Sequence, residues 1–412
     1  MSLFSVASPP LPRPGEGADA ALAARHAPLL HVDLREPAPP LAMGYSVHRA
    51  AAQSPSSKFH LCPPEGGTVI EYAIWHDWDI QHLYDLEHVW VHLDRAGEVT
   101  RVEGSMHGFR VSLDYGTGLP SMEGARPRLY MEPGKHAIWA EARPMAFIAG
   151  TMIRTLCAAE AGRDGVHLGN PFAKAGAYAA DARAHRLARL AMRRAAFEPS
   201  FDFVSAPEPA LTDWATLAAW IPARMQALVD ALPREVPHLA GLFLDCGDTL
   251  IDETTEVKRP GTEVVLEAEE IPGAMDAVRA LDAAGYPMVL VADGPRETFE
   301  NLLIPRGIWH LMQAHVISGD VGELKPAPVM FDTALRGLGA PERTRVVMVG
   351  NNLERDIAGA NAAGLVSVFV AWSKKRSHAP ASPSEVPDFR IDRLEDLPGM
   401  IDAIELALEP LS

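Results

Sequence analysis

The strongest constraint on the fold is the regular alternation of short apolar strands with helical segments after Gly241. Five apolar runs have the length of strands: 241–245, 288–292, 314–318, 345–350 and 366–370. Four segments between them have a helical pattern: 272–285, 296–303, 328–339 and 353–364. Strands that alternate with helices of this length predict a parallel, doubly wound α/β sheet with helices on both faces. We place this domain at residues 239–412.

Charged side chains follow three of the predicted strands. The first strand runs into Asp245 and a turn that contains Gly247, Lys325 follows the third strand, and Asp356 follows the fourth. Asp and Gly are common turn formers, so Asp245 alone could mark an ordinary strand end. Ligands of such sheets bind at the carboxyl ends of the strands, where these residues are expected to meet. The three together therefore predict an active-site crevice.

Residues 239–375 resemble the haloacid dehalogenase superfamily. Asp245 matches the family nucleophile, Lys325 its phosphate-binding lysine and Asp356 its metal ligand. The resemblance implies a Mg²⁺-dependent hydrolase, a phosphatase, with a small phosphorylated substrate. It also implies further site residues. The expected metal ligands are Asp245, Gly247 through its carbonyl, Asn351 and Asp356, and the expected phosphate-binding residues are Ala292, Asp293, Gly294 and Lys325.

The chain departs from the family pattern at three positions. Gly247 replaces the aspartate that serves as general acid and base, Ala292 replaces a Ser or Thr, and Asn351 replaces an acidic residue. Asp248 is one position too late, so its side chain should point elsewhere. Loss of an acid–base group costs about 10²–10⁴-fold in rate. A weak or inactive scaffold in a metal- or partner-binding regulatory protein is therefore the alternative function.

The insertions that set substrate size in this family are short here. The segments 245–292 and 292–325 leave no room for a full cap domain once their helices are counted. We therefore expect a minimal cap, with the N-terminal domain as a lid or substrate-recognition module. The lack of an enclosing helical cap disfavours dehalogenation.

The N-terminal half has a β-rich pattern. Alternating apolar residues predict strands at 68–75, 88–94, 98–105 and 126–133, and residues 145–196 have a helical composition. The predicted division is a flexible tail at 1–40, a β-rich domain with a helical extension at 41–205, and a helical linker at 206–238.

Metal-competent side chains are concentrated between residues 71 and 107. The pattern resembles the necrosis-inducing-protein-like β-sandwich family, and this resemblance implies a sandwich with a second divalent cation. The candidate ligands are Asp77, His82, Asp85, Glu87 and His107. The alternative is a polar strand face on which histidines pair with carboxylates. A third hypothesis places the chemistry of the chain in this cluster.

Charge and cysteine content restrict the partners and the compartment. The formal net charge of −17 disfavours binding to nucleic acid and to anionic membranes. Three cysteines without a CxxC pair give no disulfide framework and predict a reducing, cytoplasmic environment. The first residues lack the basic start and long apolar run of a secretory signal.

Overall fold

The computed structural model describes residues 7, 9–114, 116 and 118–409, and the chain divides into two compact units at Val236 and Pro237. The strands of the first unit are β1 Leu29–Asp33, β2 Ala42–His48, β3 Ala52–Gln53, β4 His60–Leu61, β5 Thr68–Trp78, β6 His82–Leu93, β7 Val99–Met106, β8 Phe109–Ser112, β9 Met122–Glu123, β10 Arg126–Met131, β11 Ile138–Trp139, β12 Gly165–Val166, β13 Phe203–Ser205 and β14 Ala210–Asp213. Its helices are α1 Ala18–His26, α2 Ala142–Cys157, α3 Pro171–Lys174, α4 Ala182–Arg194 and α5 Trp214–Glu235.

Two large sheets and the short antiparallel pair β3–β4 form the first unit. One has the order β11-β10-β1-β13 with β9 beside β10, and the other has the order β14-β2-β5-β6-β7-β8 with β12 beside β6. A single apolar cluster contains Leu30 and Leu129 from the first sheet together with Ile70, Val89 and other residues of the second. The β-rich, sandwich-like domain with a helical extension is thus confirmed.

Two of the predicted boundaries are wrong. The segment predicted as a flexible tail contains α1 and β1, and Ala23 and Leu30 of these elements pack in the apolar cluster. Residues 1–6 and 8 of that tail lie outside the described residues. The segment predicted as a helical linker contains β14 and α5, and Arg224 of α5 pairs with Asp77 of β5 at 2.6 Å within the first unit.

The second unit is the predicted parallel α/β domain. Its strands are β15 Gly241–Leu244, β16 Val257–Lys258, β17 Val265–Glu267, β18 Met288–Ala292, β19 Ala314–Ile317, β20 Val346–Gly350, β21 Val366–Val370 and β22 Phe389–Ile391. Its helices are α6 Ala274–Ala283, α7 Arg296–Leu303, α8 Ser318–Val321, α9 Pro328–Gly337, α10 Ala358–Ala363 and α11 Leu397–Leu406, and a π-helical turn at Leu353–Ile357 precedes α10.

The sheet of this unit has the order β19-β18-β15-β20-β21-β22, and every neighbouring pair is parallel. Leu242 and Leu244 of β15 face one apolar cluster and Phe243 faces another, because successive strand residues point to opposite faces. Both faces are therefore covered, and β15 lies in the middle of the sheet.

The cap is small, as predicted. Between β15 and α6 the chain forms one short antiparallel hairpin, β16–β17.

Within the described part of the chain, none of the helices combines the length and the apolar character needed to cross a membrane.

Candidate active site

Asp245 lies directly beyond the end of the central strand β15. Its amide donates to Val349 O of β20 at 3.0 Å, which extends the hydrogen bonding between β15 and β20 by one residue. The hydroxyl of Thr249 donates to Asp245 Oδ2 at 2.9 Å. Asp245 Oδ1 accepts a 2.6 Å hydrogen bond from Lys325 Nζ. The carboxylate is thus held from two sides at the carboxyl edge of the sheet.

Lys325 also reaches Asp356, from the turn after β20. Lys325 Nζ lies 2.6 Å from Asp356 Oδ1 and donates to Val291 O at 2.8 Å. The other oxygen of Asp356 accepts the amide of Asn352 at 3.0 Å. The structure therefore brings together the carboxylate, the ammonium and the second carboxylate that the sequence placed after three separate strands.

Burial makes this group of charges strongly interdependent. Burial and the neighbouring Asp245 carboxylate raise the pKa of Asp356 to about 7. Burial alone would lower the pKa of Lys325, but the carboxylates of Asp245 and Asp356 outweigh it and raise the pKa. Two buried carboxylates share one ammonium. A divalent cation with a preference for oxygen ligands would fit this excess of negative charge.

A cavity of about 990 Å³ opens over these residues. All four predicted metal ligands line it, namely Asp245, Gly247, Asn351 and Asp356. Its basic side chains are Lys258, Arg296, Lys325, Arg355 and Arg376. The volume is at the upper end of ordinary ligand pockets, which suits a small metabolite in an open site.

The side chain of Asp248 points away from the cavity, as predicted. Asp248 is fully buried, and its oxygens accept the amide of Glu253 at 3.0 Å and the hydroxyl of Ser373 at 2.9 Å. Its φ of 50° is in the left-handed region, which Asp tolerates better than most residues. Asp248 therefore holds the loop together and is not available to the substrate.

Part of the predicted phosphate-binding segment is occupied by other contacts. Ala292 is fully buried in an apolar cluster and does not line the cavity. Asp293 accepts the amide of Lys325 at 3.0 Å and lies 3.2 Å from Arg355 Nη1. The amide of Gly294 donates to Ser318 Oγ at 2.9 Å. The prediction for Ala292 is thus corrected, since it does not face the cavity, whereas phosphate contacts from Asp293, Gly294 and Lys325, which all line the cavity, stay a prediction.

Three cavity or near-cavity residues did not emerge from the sequence. Thr249 orients Asp245, Ser318 lines the cavity beside Gly294, and Glu253 lines it next to Gly247. Burial and the nearby Asp248 carboxylate raise the pKa of Glu253. The sequence carries no signal for Glu253, because it lies outside the motif and reaches the site only through the fold of the loop.

The five residues predicted for a second cation do not form one site. Asp77 pairs with Arg224, and His107 Nε2 lies 3.1 Å from Glu132. His82 Nδ1 contacts Tyr84 O, and the hydroxyl of Ser105 donates to Glu87. Only Asp85 of the predicted set belongs to a group with close ligand atoms, together with His76 and His136.

That group is an ion-paired network. His136 contacts Asp85 Oδ2 at 2.7 Å and Glu36 Oε1 at 3.2 Å. Burial alone would lower the pKa of His136, but the Glu36 and Asp85 carboxylates raise it to about 10. Both ring nitrogens thus face carboxylates. The ring of His76 stacks on the His136 ring at 3.8 Å and 9°. Two parallel rings cannot both direct an in-plane lone pair at one ion, so the arrangement does not support a cation there.

Comparison with known proteins agrees with the geometry. A family model described as haloacid dehalogenase-like hydrolase matches residues 132–364, more than half of the chain. The glyceraldehyde 3-phosphate phosphatase of Methanopyrus kandleri is 37% identical over 31% of this chain and 54% of its own length. The phosphoserine phosphatase of Thermus thermophilus is 34% identical over 27% and 43%. The chain thus spans about half the length of these two curated relatives.

A third relative is covered more fully. The pyrophosphatase PpaX of Bacillus cereus is 31% identical over 41% of this chain and 77% of its own length. The family model covers more than half of the chain, and this relative is matched over more than two thirds of its length. The chain belongs to the haloacid dehalogenase-like hydrolase family.

Proposed function

We propose that this protein is a phosphatase that acts on a small phosphorylated metabolite through an aspartyl-phosphate intermediate. The observation that supports it most directly is the contact of Lys325 Nζ with Asp245 and Asp356 at 2.6 Å each. A carboxylate attacks an anionic phosphoryl group only where positive charge offsets the repulsion. The names of the three relatives, each a phosphatase or a pyrophosphatase, support the same substrate class.

Each side chain has a distinct part in the proposed reaction. An oxygen of Asp245 forms a bond to phosphorus as the ester oxygen leaves, and water then releases inorganic phosphate and regenerates the carboxylate. Lys325 fixes the orientation of Asp245 and supplies positive charge. Asp245 and Asp356 would hold Mg²⁺, with the Gly247 carbonyl and Asn351 also facing the cavity. Bound Mg²⁺ would neutralise charge on the phosphoryl oxygens.

The test compares the intact protein with Asp245→Asn against p-nitrophenyl phosphate and a panel of phosphorylated metabolites. The proposal predicts that Asp245→Asn abolishes hydrolysis of every substrate of the intact protein, because the amide is not a nucleophile. Asp282→Asn, at an exposed position of α6, is the matched control and should keep full activity. Chelation should abolish turnover and Mg²⁺ should restore it. Equal activity of Asp245→Asn and the intact protein would refute the nucleophile.

An inactive scaffold is the competing function, because two of the usual catalytic residues are replaced by Gly247 and Ala292. A complete absence of turnover over the whole panel, in protein that is folded and supplied with Mg²⁺, would favour that function over the proposed one.

A further inference from the structure

The space that Gly247 leaves empty is filled from elsewhere in the chain. A Cβ built on Gly247 would overlap with Oε1 of Glu253, well inside van der Waals contact. Gly247 does not belong to the described glycines with a positive φ, so its backbone does not itself demand glycine. The Glu253 carboxylate therefore occupies the space that a side chain at position 247 would need.

Other contacts fix Glu253 in this place. Its amide donates to Oδ1 of the buried Asp248 at 3.0 Å, which anchors the backbone of the loop. Lys375 Nζ lies 3.7 Å from Oε2, the oxygen remote from Gly247. The side chain is about one third exposed and lines the cavity together with Asp245. A carboxylate thus faces the cavity beside the nucleophile although position 247 has no side chain.

We propose that Glu253 is the general acid and base of this active site, supplied by the loop after β15 in place of a side chain at position 247. The inference rests on the phosphatase function proposed above. The Glu253 carboxyl group gives its proton to the ester oxygen as the P–O bond breaks and the Asp245–phosphorus bond forms. The Glu253 carboxylate then takes a proton from the water that attacks phosphorus. One water is consumed, and Asp245 and protonated Glu253 are both regenerated.

The two proton transfers can be separated by the choice of leaving group. p-Nitrophenolate leaves without a proton, so Glu253→Gln should still form the aspartyl phosphate from p-nitrophenyl phosphate. The following attack by water lacks its base and should slow by about 10²–10⁴-fold. Rapid-quench kinetics should therefore show a burst of one equivalent of p-nitrophenolate followed by slow turnover. Hydrolysis of an alkyl ester, such as glycerol phosphate, should show no burst.

Three further variants control for charge and for the position of the carboxylate. Glu267→Gln removes the same charge from an exposed position in the neighbouring hairpin and should behave like the unaltered protein. Gly247→Asp combined with Glu253→Ala moves the carboxylate to the other position without overlap and should turn over at least tenfold faster than Glu253→Ala alone. Gly247→Asp with Glu253 retained should lose activity, since the two side chains compete for one space.

Two results would overturn the assignment. Turnover of Glu253→Gln at the unaltered rate would show that no proton passes through this side chain. Loss of the burst as well as the turnover, in protein with an unchanged unfolding midpoint, would assign Glu253 to binding. Failure of the phosphatase function itself looks different, because then the unaltered protein does not hydrolyse either ester.

Discussion

At the scale of single residues, the active site depends on two glycines, each of which makes room for a carboxylate six residues later in the chain. Gly247 accommodates Glu253, and Gly350 accommodates Asp356, whose carboxylate folds back over the end of β20. A Cβ on Gly350 would overlap with Oδ2 of Asp356. Neither glycine has a positive φ, so turn geometry does not require them, and each lies against one of these carboxylates.

Gly350→Ala should therefore damage the site without unfolding the domain. The methyl group would push Asp356 away from Lys325, and we expect at least tenfold weaker activation by Mg²⁺, measured by titration of activity with the ion. Gly399→Ala is the matched control, since it lies in α11 and its added Cβ meets open space. This control should keep its activity and gain about 0.5–1 kcal/mol of stability. Unchanged Mg²⁺ dependence of Gly350→Ala would contradict the placement of Asp356.

The sequence predicts the active-site residues that follow strands better than those that a loop carries into the site. Asp245, Lys325 and Asp356 follow recognisable strands, so the parallel topology alone brings them to one edge. Glu253 could not be predicted, because its place depends on the path of the loop. The role of Asp248 was predictable only in part, since its displacement from the motif shows where it cannot point but not what it binds.

At the scale of elements, the pairing of strands decides which polar side chains of the first unit meet. His76 of β5 lies opposite Asp85 of β6 in the antiparallel register, and His136 approaches Asp85 from a separate loop. Asp77 was among the predicted ligands, but its side chain follows His76 directly in β5, points to the opposite face and pairs with Arg224. The register of the β5–β6 hairpin is the signal that would have identified the pair.

His136→Ala should destabilise the first unit strongly. Removal of the imidazolium leaves Glu36 and Asp85 buried without their partner, at a cost of about 3–5 kcal/mol. Urea unfolding followed by tryptophan fluorescence measures it, because six of the eight tryptophans are in this unit. His60→Ala, at an exposed position of β4, should change stability by about 0.5 kcal/mol or less. A loss below about 1 kcal/mol for His136→Ala would contradict the network.

One helix of the first unit was missed, and another was predicted as a helix but with the wrong role. Helix α1 follows a segment rich in proline and glycine, which favoured a flexible tail for the whole of 1–40, although Ala23 and His26 are buried. Helix α5 lies where a helical linker was predicted, but its buried face joins the first unit. Burial of both helices depends on packing against elements distant in the sequence, which local patterns do not show.

At the scale of the whole molecule, each unit has an apolar core of its own. The clusters of the second unit draw only on residues from Leu239 onward, and the active-site cavity is lined by residues 245–376. A chain that begins at Pro237 should therefore fold cooperatively and hydrolyse p-nitrophenyl phosphate. We also propose a lid or recognition role for the first unit. This role predicts that the shortened chain ranks the metabolites of the panel differently from the intact protein.

The test is a steady-state kinetic comparison of the shortened chain and the intact protein, with p-nitrophenyl phosphate and with the metabolites of the panel. An unchanged ratio of kcat/KM values between the small ester and the best metabolite would contradict the recognition role. Failure of the shortened chain to unfold cooperatively would contradict the independence of the second unit.

The most direct test of the central claim is the mass of the enzyme during turnover. The protein is mixed with p-nitrophenyl phosphate and Mg²⁺, quenched in acid and digested, and the peptide that contains Asp245 is analysed by mass spectrometry. The account predicts one added phosphoryl group on Asp245, removed by hydroxylamine and absent from Asp245→Asn. Steady turnover without any phosphoryl group on Asp245 would contradict it.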